Sequence, residues 1–255
     1  MAKILWDQAG DKKYETGVDH GVLYVKKDTT VDVPLGNNKT SVKTPFHGGV
    51  AWNGLTSVSK SPSGAEANDI YADNIKYASL RSAETFGGTI EAYTYPDAFA
   101  ECDGSKAIAT GVGVYLGQQT RKPFGFCFRT NMGDDNDGSV NVNNKYKIHL
   151  IYNATASPSE SSYSTINDSP EAITFSWELT TIPVSAGTDN LPTATITIDS
   201  TKFTDIDQTT GKSTKLAAFE EILYGKDPTT QGGNDGREPM LPMPEDVIAF
   251  FKPTT

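Results

Sequence analysis

Three histidines, two cysteines and a scatter of carboxylates are the residues of this chain that could do chemistry. A metal site needs His, Cys or carboxylate ligands at short, fixed spacings. His20 follows Asp19, His47 precedes two glycines, and His149 lies on a strand opposite the Ile148/Leu150 face. Neither these nor Cys102 and Cys127 have ligand spacing. No Gly-x-Ser-x-Gly turn is present to expose a nucleophilic serine. "GVGVYLG" (111–117) lacks the Lys-Ser/Thr of a phosphate loop. "NMGDDNDGSVNVNN" (131–144) resembles a calcium loop only superficially. With Gly138 at the sixth position, Gly133 and Asn144 stand where the first Asp and the closing Glu are required, so it reads as a solvated hairpin tip.

Paired carboxylates are the remaining option. Glu91, Asp97 and Glu101 lie near one another in sequence, Glu178 sits on a strand, and Tyr93, Tyr95 and Trp177 could line a sugar cleft. A glycosidase needs two carboxyls held close together across such a cleft. Nothing in the spacing fixes that geometry, and aromatics at alternate positions more often pair across strands. A monomeric β-sandwich that binds carbohydrate or recognises a receptor is therefore the alternative reading. No cofactor and no metal are implied.

The elements that would carry these residues are mostly strands. "PEAITFSWELTTIPV" (170–184) places Ile173, Phe175, Trp177 and Leu179 on one side and Thr174, Ser176, Glu178 and Thr180 on the other, the period-2 pattern of a half-buried strand. "PFGFCFRT" (123–130) aligns three phenylalanines against Gly125, Cys127 and Arg129. "YKIHLIYN" (146–153) aligns Tyr146, Ile148, Leu150 and Tyr152. "TATITIDS" (193–200) aligns Ala194, Ile196 and Ile198 against Thr193, Thr195, Thr197 and Asp199. Antiparallel sheets with one covered face show this alternation. The shift at Thr180-Thr181 predicts a β-bulge, and Pro183 predicts an edge. "STKLAAFEEILYG" (213–225) predicts a helix, with Ser213 as N-cap, a Leu216/Phe219/Ile222/Leu223 stripe and Gly225 after its end. A second, short helix is expected over 245–251, with Val247, Ile248 and Phe251 on one face.

The 255 residues fit one large β domain, and 23 Gly with 14 Pro fit many turns. The formal charge of −10 disfavours tight nucleic-acid binding, which relies on phosphate neutralisation, but not passing contact. Residues 1–60 carry a balance of +2 and the remainder −12, which is compatible with one end of the molecule meeting the acidic part of another copy. No run approaches transmembrane length, so no membrane insertion is expected. "MAKILWDQAG" lacks the apolar core of a secretory signal, which predicts a cytoplasmic chain with two free thiols. Two stretches read as irregular: 26–47, polar and basic-leaning, and 226–255, rich in Gly and Pro. Met240, Leu241, Met243, Val247 and Phe251 would be exposed apolar surface on a free arm, and prolines lower the entropy cost of docking one. They are the candidate inter-subunit residues.

Longer phrases go further. "YETGVDHGVLY" (14–24), "GVAWNGLTSVSKSPSGAE" (49–66), "YADNIKY" (71–77), "GGTIEAYTYPDAFAECDGS" (87–105), "GQQTRKPFGFCFRT" (117–130), residues 146–184 and "LAAFEEILYG" (216–225) resemble, in this order, the major tail (tail tube) proteins of long non-contractile-tailed bacteriophages. "EPMLPMPEDV" (238–247) is similar to that family's C-terminal end. The resemblance implies a mainly β fold, two antiparallel sheets as a sandwich or half-barrel with a flanking helix, in one tail tube domain (1–255). It would have an N-terminal segment (1–20), a long inter-strand loop (26–47) and a C-terminal arm (226–255). It implies a structural virion protein and no enzyme. Such proteins are made in the host cytoplasm and form stacked hexameric rings whose sheets join in a continuous inner β-barrel. Implied partners are further copies, the tape measure protein, the tail terminator and tail-tip proteins, and DNA in transit. Phosphates passing through a channel should meet neutral hydroxyls or like charge, so Thr174, Ser176, Glu178, Thr193, Thr195, Thr197 and Asp199 are the candidate lumen-facing residues.

Overall fold

The computed structural model describes residues 4, 6, 12–35, 42–64, 66–81, 84–109, 111–135, 145–158, 162–163, 165, 172–229 and 236–252. The strands among them are β1 (Tyr14–Val31), β2 (Thr44–Phe46), β3 (Val50–Trp52), β4 (Leu55–Lys60), β5 (Ala67–Ala72), β6 (Ile75–Arg81), β7 (Gly87–Ala92), β8 (Lys106–Ala107), β9 (Tyr115–Leu116), β10 (Phe124–Gly133), β11 (Tyr146–Ala156), β12 (Phe175–Thr181) and β13 (Thr195–Asp199). The α-helices are α1 (Ala100–Asp103), α2 (Thr214–Tyr224) and α3 (Pro244–Phe251).

The mainly β, antiparallel fold expected from the alternation is present. Its principal sheet has nine strands in the order β2-β1-β10-β11-β12-β7-β4, with β13 added to β11 and β3 to β1. Apolar cores lie on both faces. The first gathers Tyr24, Cys127, Ile148, Leu150, Tyr152 and Ile198 under α2 and α3. The second gathers Leu23, Trp52, Ile90, Phe124, Phe126 and Trp177 around Phe99.

One residue redirects the sheet. Asn153 has φ +49°, and the β10–β11 register slips between Phe124↔Ala154 and Phe126↔Ile151. This is a β-bulge, and it exchanges the faces of the residues beyond it. Tyr146, Ile148, Leu150 and Tyr152 face the first core, as their alternation predicts, but Ala154 and Ala156 face the second. The first part of β11 pairs with β13, and its last three residues pair with β12. From there β12, β7 and β4 turn back toward β1, where a Cβ on Gly21 would collide with Leu55. The bulge thus lies on β11, and β12 runs in register through Thr181. β12 starts only at Phe175, and Ala172, Ile173 and Thr174 are exposed ahead of it.

The helices obey their caps. Ser213 Oγ accepts from the Leu216 amide at 3.1 Å and donates to Asp205 Oδ1 at 2.9 Å. The Asp205 carboxylate also takes the Lys215 amide and the Thr214 hydroxyl, and these bonds hold its pKa at about 2. Leu216, Phe219, Ile222 and Leu223 are buried, and Tyr24 Oη donates to the Leu223 carbonyl at 2.6 Å. Ser213→Ala should cost about 1 kcal/mol, read as a lower urea midpoint with an unchanged slope. In α3, Pro244 stands in the first turn with Glu245 and Asp246. Val247 and Phe251 pack on the first core, while Ile248 stays on the surface.

Two irregular stretches are more ordered than their composition suggests. β1 runs to Val31 and begins at Tyr14, so the strand takes up residues assigned to the loop over 26–47 and to the N-terminal segment. β2 returns alongside it, with Lys26↔Phe46 and Val31↔Thr44 paired, and Val33, Leu35 and Phe46 enter the first core. The β-branched run Thr29-Thr30-Val31 supports an extended strand despite its polarity. Residues 36–41 lie outside the described residues.

The C-terminal stretch, a candidate inter-subunit arm by sequence, packs on its own domain as a strap. Met240, Leu241 and Val247 are buried in the first core, and Met243 and Phe251 pack against it. The Leu241 amide donates to the Phe46 carbonyl at 2.8 Å and the Met240 amide to Ile222 at 2.9 Å. Thr44 Oγ1 donates to the Leu241 carbonyl at 2.6 Å. Pro239 and Pro242 keep the strap extended, and the amide donors of Met240 and Leu241 are both used. The strap lies so tightly on β10 that a Cβ on Gly125 would overlap Leu241.

Candidate assembly surfaces

One apolar surface is a hairpin that the sequence pattern did not reveal. β4 and β7 pair at the edge of the principal sheet, Ser63 bridges Thr85, and β5 and β6 pair beyond them, so the ladder leaves the sheet as a two-stranded hairpin over 67–81. At its tip Asp73 and Asn74 have φ +52° and +59°, the left-handed pair of a type I′ turn. β5 and β6 pair only with each other among the described residues. Ile70, Tyr71, Ile75, Tyr77 and Leu80 are 40–73% exposed. The clue in the sequence was Asp-Asn between two short apolar runs.

A second surface lies on the outer side of β4, β7 and β12. Ser176 sits beside Glu91, which sits beside Ser57, and Glu178 beside Thr89, which sits beside Ser59. Ser57 Oγ donates to Glu91 Oε2 at 2.7 Å. Trp177, Leu179 and Ile90 point the other way, into the second core. These outward residues are hydroxyls and carboxylates, with no Lys or Arg among the outward paired positions. Lys60, the basic residue of β4, pairs with Gly88 on the inward alternation.

The seven candidate lumen residues do not share one surface. Ser176 and Glu178 lie on this outer face, and exposed Thr174 leads into it. Thr195 and Thr197 stand opposite Ile151 and His149 of β11, and Ile196 and Ile198 face the first core. Ile151 shares the second core with Trp177 and Leu179. The hydroxyl side of β13, which carries Thr195, Thr197 and Asp199, is therefore on the opposite side of the sheet from the hydroxyl side of β12. Thr193 precedes β13 and bridges Val184.

A polar knot around the buried His149 ties five strands together. Lys60 Nζ (β4) donates to His149 Nδ1 (β11) at 2.7 Å, with Thr197 Oγ1 (β13) at 3.2 Å from the same nitrogen. His149 Nε2 is 3.0 Å from Thr130 Oγ1 (β10), which donates to Glu15 Oε1 (β1) at 2.5 Å. Lys147 Nζ reaches Glu15 Oε2 at 2.6 Å, and the imidazole stacks on Phe128 at 4.7 Å. A ring that accepts from Lys60 is neutral and keeps its proton on Nε2. Burial and the Lys60 charge depress His149 to about 4. Burial alone would raise Glu15, but the Lys147 and Thr130 hydrogen bonds outweigh it and hold that carboxyl at about 2.

The knot predicts acid sensitivity. Unfolded histidine titrates near 6.5 and folded His149 near 4, so between those values the unfolded chain binds more protons. Stability should fall as pH is lowered through that window, by up to about 3 kcal/mol. Glu15 adds a further loss from 4.5 toward 2. Urea titrations of His149→Gln should show a flatter pH profile between 6.5 and 4 than the parent. An unchanged profile would contradict the assignment.

The residues considered for sugar chemistry do not assemble a cleft. Trp177 is 2% exposed and stacks among Trp52, Phe99, Phe175 and Tyr95, so it presents no platform. Glu101 is paired with Lys122 at 2.7 Å. Cys102 and Cys127 are free, buried thiols, pushed up to about 12 by burial.

An exposed apolar hairpin and a strand face free of cations at its outward positions are properties of a part in a larger structure. Residues 35–226 match the family model of phage tail tube proteins, the lactococcal phage major structural protein group. The chain belongs to that family. It is a structural, non-enzymatic component of the phage tail, and hence of the virion. No curated protein matches it at a significant level. Among solved structures, it is similar to the sheath/tube terminator of an extracellular contractile injection system, PVC, in the extended state. That likeness has 12% identity over 72% of this chain and 97% of the other, with a TM-score of 0.26. A likeness this weak carries no structural weight.

Proposed function

We propose that this tail tube protein assembles with further copies of itself into six-membered rings that stack as the tube. The tube would enclose the tape measure protein and conduct DNA on ejection, bounded by tail-tip and terminator proteins. The observation that carries this reading is the 67–81 hairpin. An isolated two-stranded hairpin is marginal in water, and large exposed apolar patches mark interaction sites. Among the described residues nothing covers either strand, so a neighbouring copy is its natural cover.

Within that tube, the outer face of β4, β7 and β12 is the better candidate for the lumen. Its hydroxyls and the carboxylates Glu91 and Glu178 would slide past phosphates without holding them. The hydroxyls of β13 face the other side of the sheet, and that strand belongs with contacts between copies.

Purified protein should be concentrated, followed by light scattering and imaged by negative-stain electron microscopy, with tail-tip complexes supplied in a parallel sample. Six-fold rings or hollow tubes are expected. A persistent monomer in both samples would overturn the self-assembly reading. A tube map with Glu91, Ser176 and Glu178 on the exterior would overturn the lumen assignment and leave assembly intact.

A further inference from the structure

Two features on opposite cores of the chain remain unused by the hairpin and the lumen face. The first is a finger. β8 and β9 pair through Lys106↔Leu116 and Ala107↔Tyr115, and Ile108 donates to the Val114 carbonyl at 3.1 Å. Ile108, Val112, Val114, Tyr115 and Leu116 are each about half exposed. Over 105–117 the single charge is Lys106. The finger is rooted firmly beside the second core: Gln119 N donates to Gly104, Lys122 N to Glu101, and Arg121 Nη1 to the Ala156 carbonyl at 2.8 Å.

The second is an open groove of about 770 Å³ beside β13 and α3, on the first core. Its floor is apolar, with Ile196, Phe203, Val247, Ile248 and Phe251, and Leu191 stands exposed at its rim. Asp189 and Asp199 flank it against the single cation Lys202. β13 pairs only with β11 among the described residues, so its other edge is open to an incoming chain.

We propose that the β8–β9 finger of one copy docks in the β13–α3 groove of a second copy. The inference rests on the self-assembly reading and names one of its contacts. Charge selects the pairing: the finger brings one cation and the groove a net negative rim. The 66–84 hairpin, with Glu66, Asp69, Asp73 and Glu84 against Lys76 and Arg81, is net acidic and would meet like charge there. No finger residue lines the groove, and the two features belong to opposite cores, so a chain does not fill its own groove. A contact between two different surfaces of identical chains is heterologous, and it propagates into rings or filaments.

The test uses full-length Ile108→Cys and Ile248→Cys variants, both at exposed positions. The native thiols are fully buried and will not compete. The two variants are mixed, concentrated and treated with a short bismaleimide. A cross-linked dimer is expected in the mixture and from neither variant alone, and the double variant should give a ladder. Leu116→Asp should keep the parent's melting temperature and lose assembly. Tubes that form without the mixed dimer, with Leu116→Asp assembling like the parent, would overturn the docking and leave self-assembly standing. A dimer from Ile108→Cys alone would mean finger-to-finger contact and overturn it too. Neither scattering assemblies nor cross-links at any concentration would overturn both.

Discussion

Trp52→Ala should lower the free energy of unfolding by about 3–5 kcal/mol, the largest stability effect expected of a single substitution here. Trp52 is the last residue of the three-residue strand β3 and is 2% exposed. Its ring lies 4.6 Å from Phe99 and 5.5 Å from both Phe126 and Trp177, so three separate elements meet on it. Its Nε1 donates to the Thr94 carbonyl at 2.9 Å and pins the chain leaving β7. Alanine would remove the ring, open a cavity between β10, β12 and the Phe99 turn, and release the Thr94 carbonyl. Trp52→Phe keeps most of the volume and loses the hydrogen bond, so it should cost clearly less, about 1–3 kcal/mol. Urea unfolding followed by circular dichroism measures both. A loss under about 1 kcal/mol for the alanine variant would show that the aromatic cluster does not organise the second core.

The strands that were legible in the sequence are those whose period is local. Ile148, Leu150 and Tyr152 alternate and share a core, as do Ile196 and Ile198, because side-chain direction along a strand needs no knowledge of partners. The α2 helix was legible for the same reason, since its Ser213 cap and its stripe lie within one short segment. What period 2 cannot give is which face of the sheet a strand turns to a given core. That depends on register with β11 and on the bulge at Asn153, a non-glycine residue in a left-handed conformation. So β12 and β13, alike in pattern, present their hydroxyls to opposite sides, and the candidate lumen set divides between them.

The strap was illegible for a different reason. An apolar, proline-ordered segment looks the same whether it covers its own domain or a neighbour's. The small residues Gly125 and Cys127, set opposite the phenylalanines of β10, were the trace of something packed close above them. The hairpin misleads in the opposite sense. Its apolar residues look like those of any half-buried strand, and among the described residues nothing covers them. The long sequence phrases carried the family, which residues 35–226 bear out.

Replacing Tyr71, Tyr77 and Leu80 together with lysine should abolish assembly while leaving the subunit folded. The three side chains are all more than half exposed, so their removal opens no cavity and orphans no buried partner. The hairpin's own strands stay paired from Ala67↔Arg81 to Ala72↔Ile75, and its tip keeps its turn. The melting temperature should therefore stay within a few degrees of the parent's. Assembly is another matter. Burying a large apolar side chain contributes about 1.5–3 kcal/mol, so deleting three of them from each copy removes on the order of 5–8 kcal/mol. A factor of ten in association corresponds to about 1.4 kcal/mol, so this deficit alone moves assembly beyond accessible concentrations. Lysine adds the cost of desolvating a charge and, on an edge strand, blocks pairing with another chain. Light scattering against concentration and negative-stain imaging give the readout, with thermal melting as the control. Tubes at the parent's threshold concentration would exclude the hairpin as the arm. A large drop in melting temperature would instead mean that the hairpin packs on its own chain in solution, and its exposed tyrosines would then owe nothing to a neighbour.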